Sequence, residues 1–137
     1  MELVVDANIL FAALIKDSIT QELLFNDNLI LFVPEFIFIE LKKYELIIRN
    51  KAKRSKAEFD ELLKRLSEKL FVVKNKDIET IFLDKAKELC PDLNDFLYFA
   101  MAFKFDIPLW SNDVKLKKQV EINVFSTYDV LKVLNVF

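Results

Sequence analysis

Five short apolar runs punctuate this chain: "LVV" over 3–5, "LILFV" over 29–33, "LFVV" over 70–73, "IPLW" over 107–110 and "INVF" over 122–125. They are short enough for strands and too continuously apolar for strands with one wet face. Helical spacing fills the stretches between them. Strands buried on both faces and alternating with helices call for a parallel sheet covered from both sides. The expected fold is therefore α/β: a single domain over residues 1–137, with a parallel five-stranded sheet and helices on both faces. A chain of 137 residues with 53% hydrophobic content is enough to bury such a core.

The strands are expected at 2–6, 29–33, 70–73, 107–111 and 122–125. Helices are expected over 8–16 with Asn8 as N-cap, over about 18–26 from Ser18, and over 35–49 as one piece. A further helix opens at Ser55 and carries Phe59, Leu62, Leu63 and Leu66 as one apolar stripe. Others are expected near 78–89, 94–105 and 127–134, the last opened at Ser126.

Two absences narrow the chemistry. The chain has no His, which removes the commonest general base and every Ser-His-Asp arrangement. It has no Gly, which excludes P-loops and dinucleotide-binding fingerprints. Any reaction must run on carboxylates, hydroxyls, amides, lysines or a bound metal. A formal net charge of −2 supplies no overall pull toward nucleic acid, so binding there needs local basic patches. The lone Cys90 fits a reducing compartment. "LILFVPEFIFI" is broken by Pro34 and Glu35 and cannot cross a bilayer as a helix. "MELVVD" has no basic leader pattern, and the expected location is the cytoplasm, without a membrane partner.

Acidic residues fall at telling places. In a parallel sheet the ligand crevice lies beyond the carboxyl ends of the strands. Asp6 ends the first strand, Asp113 follows the fourth, and Asp92 and Asp95 bracket the start of the helix before it. Glu40 interrupts the apolar "FIFIEL" in the helix after the second strand. Asp95 and Asp113 would also serve as plain helix caps, and a buried Glu40 could simply carry a raised pKa. As a cluster, however, such acids repel one another unless a cation neutralises them. Oxygen-only ligands suit Mg²⁺ or Mn²⁺. An ion of that kind supports phosphodiester hydrolysis without any His.

This arrangement resembles the PIN domain, a family of metal-dependent nucleases that includes many prokaryotic toxin ribonucleases. The resemblance runs through "VVDANILFAAL", "FIFIELKK", "DLNDFLYFAMA" and "IPLWSND", four pieces in the family's order that span essentially the whole chain. It implies metal-site acids with catalytic roles at Asp6, Glu40, Asp95 and Asp113, with Asp92 as an extra acid at the rim. It also implies that Asn8 hydrogen-bonds within the site and that Ser111 takes the family's hydroxyl position, where Thr is more usual. The implied cofactor is Mg²⁺ or Mn²⁺. RNA as substrate comes from the resemblance alone, since no residue here reads a 2′-hydroxyl.

Lys115 and Lys118, beside Asp113, are expected to contact the phosphates of the substrate. Lys51, Lys53, Arg54 and Lys56 are at least as well explained as a solvated helix-to-helix connection. Tyr44, Ile47 and Ile48 extend the apolar side of the 35–49 helix, and with the resemblance they suggest a homodimer. A toxin would also have an antitoxin protein as partner. The competing functions are a non-catalytic RNA-binding or scaffold domain that kept the fold, and a phosphatase or phosphotransferase of another α/β fold. The "DAN" after the first strand lacks the DxD nucleophile pattern of haloacid-dehalogenase-type enzymes. The paired acids and late-strand Lys of a receiver domain are missing too.

Overall fold

The computed structural model describes residues 1–15, 18–90 and 95–134. Its centre is a sheet of five parallel strands: β1 (Glu2–Val5), β2 (Ile30–Pro34), β3 (Phe71–Val73), β4 (Leu109–Trp110) and β5 (Val124–Phe125). Their spatial order is β3-β2-β1-β4-β5, with every neighbouring pair parallel. β1 is the middle strand, and Leu3, Val4 and Val5 are wholly buried. That explains its unbroken apolar sequence, because both of its faces are covered.

Successive side chains of a strand point to opposite faces, and the core divides accordingly. Leu3, Val5, Leu31, Val33 and Trp110 face one layer of helices. This layer comprises α1 (Ala7–Ile15), α2 (Ser18–Leu24), α3 (Phe36–Lys43), α4 (Glu45–Ala52), α5 (Lys56–Lys69) and α8 (Thr127–Leu134). Val4, Leu109 and Val124 face the other layer, formed by α6 (Thr80–Leu89) and α7 (Phe96–Phe105). The expected α/β fold with helices on both faces is what the chain adopts.

Local chemistry explains several boundaries. Ser55 and Glu58 form a reciprocal capping box at the start of α5, with bonds of 3.1 and 2.9 Å. Ser126 and Asp129 do the same before α8, at 3.1 and 2.9 Å. Short 3-10 turns occupy Asn75–Asp77 and Val114–Lys118.

Two expectations need correction. The helix expected over 35–49 is two helices, α3 and α4, which meet at Tyr44. No Gly or Pro marks the break. At this point the Tyr44 ring packs edge-on against Phe11 of α1 at 5.9 Å, and Ile48 in the first turn of α4 is buried in the core. Asn8, expected as the cap of the first helix, lies inside α1 instead. Asp6 takes the capping position, its Oδ1 accepting the Ile9 N–H at 3.1 Å.

Candidate functional site

The parallel strands deliver their following residues to one rim of the sheet. Asp6 comes directly after β1, and its backbone N–H donates to the Trp110 carbonyl of β4 at 3.2 Å. Asp113 comes three residues after β4 and caps the 3-10 turn, its Oδ1 accepting the Lys115 N–H at 3.0 Å. Glu40 lies on α3, the helix entered from β2, and Asp95 directly precedes α7. These four acids line a single cleft of about 370 Å³ together with Ala7, Asn8, Phe36 and Tyr98.

Asp6 is the most deeply placed, only 4% exposed. Burial pushes its carboxyl pKa up, and the charge of Asp113 adds to the rise. The Ser111 hydroxyl and the backbone N–H groups of Ile9 and Asn8 oppose it by hydrogen-bonding the ionised form. Ser111 is itself buried, and its Oγ accepts the Asp113 N–H at 3.1 Å. One hydroxyl therefore ties Asp6, at the end of β1, to the backbone of Asp113, beyond β4. A strand-end Ser or Thr is small enough to fit between them and has both a donor and acceptors.

The remaining expected residues are distributed unevenly. Asn8 lines the cleft. Lys115 and Lys118 are exposed on the 3-10 turn beside Asp113 and are not part of the lining. Asp92 lies outside the described residues. In the basic stretch, Arg54 donates to the Leu14 carbonyl at 3.2 Å and Lys56 pairs with Glu45 at 3.2 Å. Arg54 thus ties the α4–α5 connection to α1, and Lys56 links α5 to α4.

Tyr98 was missed by the sequence reading. It belongs to the buried face of α7, yet its ring reaches the cleft, where Phe36 meets it edge-on at 5.8 Å. Burial raises its phenol pKa well above the usual range, and the charges of Asp6, Asp95 and Glu40 raise it further. The Ala7 backbone N–H, facing the phenol oxygen, works the other way. The available signal was its place three residues after Asp95, which puts the two on neighbouring positions of one helix.

The donor set is all oxygen, which fits a hard dication such as Mg²⁺ or Mn²⁺. Among the described residues no three acidic side chains converge on one point as metal ligands. The acids share the cleft but stand apart in it. Mutual repulsion favours that spread, and a cation would offset it.

The sequence profile of the PIN domain matches residues 4–127. The chain belongs to the PIN domain family. No curated protein matches it in sequence. Among solved structures, it is similar to a chain of VapBC2 from Rickettsia felis, crystallised with a DNA fragment from its promoter. That match has 18% identity and a TM-score of 0.68, and covers 92% of this chain and 98% of the other. A chain of a toxin-antitoxin complex from Klebsiella pneumoniae is also similar, at 16% identity and a TM-score of 0.63, covering 93% and 98%. At these identities the likeness is one of fold.

Proposed function

We propose that this protein is a Mg²⁺- or Mn²⁺-dependent endoribonuclease that serves as the toxin of a toxin-antitoxin pair. The observation that carries the reading is the gathering of Asp6, Glu40, Asp95 and Asp113 around one cleft at the carboxyl rim of the sheet. Those four acids would hold the ion, and the family resemblance implies Asp92 as a further acid. A hard dication bound there supplies Lewis acidity, lowering the pKa of a water and neutralising phosphate charge.

The chain's own groups do the rest. Asp6 keeps one oxygen tied to the Ile9 N–H, and Asp113 keeps one tied to the Lys115 N–H, so each presents its carboxylate in a fixed direction. Ser111 holds these two ligands in register. With no His in the chain, the proton of the attacking water passes to a carboxylate oxygen not engaged by the backbone. Lys115 and Lys118 attract the RNA phosphates toward Asp113.

An antitoxin partner is proposed by analogy with the Klebsiella pneumoniae complex, and cytoplasmic location from the lone Cys90. Among the described residues no helix is long and apolar enough to cross a membrane. A homodimer is proposed through α3 and α4, where Tyr44, Ile47 and the neighbouring Ile39 and Leu46 stay exposed; Ile48 goes instead into the core. The competing reading, a non-catalytic RNA-binding or scaffold domain, draws on the spacing of the acids.

Cleavage of a mixed structured-RNA pool decides between them, run with Mg²⁺, with Mn²⁺ and with EDTA, and with Asp6→Asn alongside. The nuclease predicts cutting that disappears in EDTA and in Asp6→Asn. A folded protein that neither cuts nor binds Mn²⁺ would be the scaffold.

A further inference from the structure

The proposed reaction leaves Tyr98, in the wall of the cleft, without a task. Tyr98 is 2% exposed, and its ring is held between α7 and Phe36. Its hydroxyl oxygen is buried; the Ala7 backbone N–H faces it on the acceptor side, and no residue among those described accepts its proton. Buried polar atoms in folded proteins are nearly always paired, because an unpaired one keeps the full penalty of leaving water. A Phe would fill the same volume without that penalty. The unpaired group sits in the wall of the one cleft that gathers Asp6, Glu40, Asp95 and Asp113.

The other side chains around it explain what it lacks. Ionised carboxylates accept hydrogen bonds and cannot donate them. Of the residues lining the cleft, only Asn8 and Tyr98 have side chains that can donate, and Asn8 is exposed. The phenol is therefore the one buried side-chain donor in the wall of this cleft.

We propose that the Tyr98 hydroxyl donates a hydrogen bond to an oxygen carried by the cleft's divalent ion, either a bound water or a phosphate oxygen, and so positions that oxygen. The inference rests on the metal-dependent reading above. It makes the Tyr98 hydroxyl a donor without an acceptor in the free protein and with one in the loaded protein.

Tyr98→Phe removes only the hydroxyl and tests this directly. Mn²⁺ alone is titrated into wild type, Tyr98→Phe and Asp6→Asn, with free ion followed by electron paramagnetic resonance. A second arm titrates a short labelled RNA in Ca²⁺ and checks by gel that it stays intact. If the hydroxyl holds a bound water, Tyr98→Phe weakens Mn²⁺ binding by about tenfold. If it holds a phosphate oxygen, Mn²⁺ binding is unchanged and RNA binding weakens by about five- to tenfold.

In either case the metal-free variant melts close to the wild-type temperature or above it, because the proton that is removed has no acceptor within the protein. Affinities unchanged within about twofold in both arms overturn the inference. So does a clear drop in the metal-free melting temperature, which would reveal a partner inside the protein. If wild type binds no Mn²⁺, or Asp6→Asn binds it equally well, the metal-site reading falls and the inference with it. Loss of binding in Asp6→Asn with Tyr98→Phe unaffected removes the inference alone.

Discussion

Asp6 shows how one residue can serve the site at the expense of the fold. Its carboxylate caps α1 and hydrogen-bonds Ser111, but it is buried beside another acid, and its pKa is raised above the ordinary value. A carboxyl whose folded pKa exceeds its unfolded one favours folding while protonated, and that contribution is lost as pH rises through the folded value. At neutral pH the ionised Asp6 therefore weakens the metal-free protein. Asp6→Asn keeps an oxygen for the Ile9 N–H and removes the charge. In EDTA at pH 7.5 the variant should melt a few degrees above wild type, and the gap should close toward pH 4, as thermal scans at the two pH values will show. The same variant should lose metal-dependent RNA cleavage by about a hundredfold or more. A gain in stability with a loss of activity is the pattern of a residue retained for function.

At the scale of elements, the absence of glycine has a structural consequence. Helix ends that turn back through the left-handed region usually use Gly, which has no Cβ to clash. Here Lys53 after α4 and Asp106 after α7 adopt it instead, with φ of 56° and 53°. Lys53→Gly should therefore raise unfolding free energy by about 0.5–1 kcal/mol in urea titrations. Asp106→Gly should gain less, because Asp tolerates this region better than Lys does.

Asp129 joins two elements in a similar way. It caps α8 through Ser126 and pairs with Lys117 of the 3-10 turn at 2.8 Å. The Lys117 hydrogen bond, then the Ser126 backbone, pulls its pKa down to about 2. This contribution is present above the unfolded carboxyl value and disappears as pH falls through about 2. Its side chain is about a third exposed, so solvent screening keeps the ionic part small. Asp129→Ala should cost about 1 kcal/mol at pH 7, mostly through the lost cap, and progressively less in acid.

Across the whole molecule, one rim of the sheet gathers the acids, and a separate face formed by α3 and α4 leaves apolar side chains in solvent. Ile39, Leu46 and Ile47 are each more than half exposed. If that face joins two copies, Ile47→Asp places a charge in an apolar interface and should weaken self-association by roughly 30-fold, about 2 kcal/mol. Sedimentation velocity over a concentration series measures it. An unchanged monomer-dimer balance would move the interface elsewhere.

What the sequence settled alone was what depends on neighbours along the chain. The apolar runs name the strands, and for β1, β2 and β4 the reason is burial on both faces; β3, at the edge of the sheet, is as apolar although Phe71 and Val72 are exposed. Ser55 and Ser126 mark helix starts because a capping hydroxyl bonds to a backbone N–H only three residues on. The acids at strand ends were legible too, since a parallel sheet sends every such residue to one rim. The break at Tyr44 was not legible, because Phe11 lies more than thirty positions away in the chain and no local residue stops the helix. The strand order β3-β2-β1-β4-β5 was likewise decided only by packing between distant segments. Tyr98 belongs to the same class. Its ring reads as core from the helical pattern, and only the folded chain places it in the wall of a cleft lined by four carboxylates drawn from four separate segments.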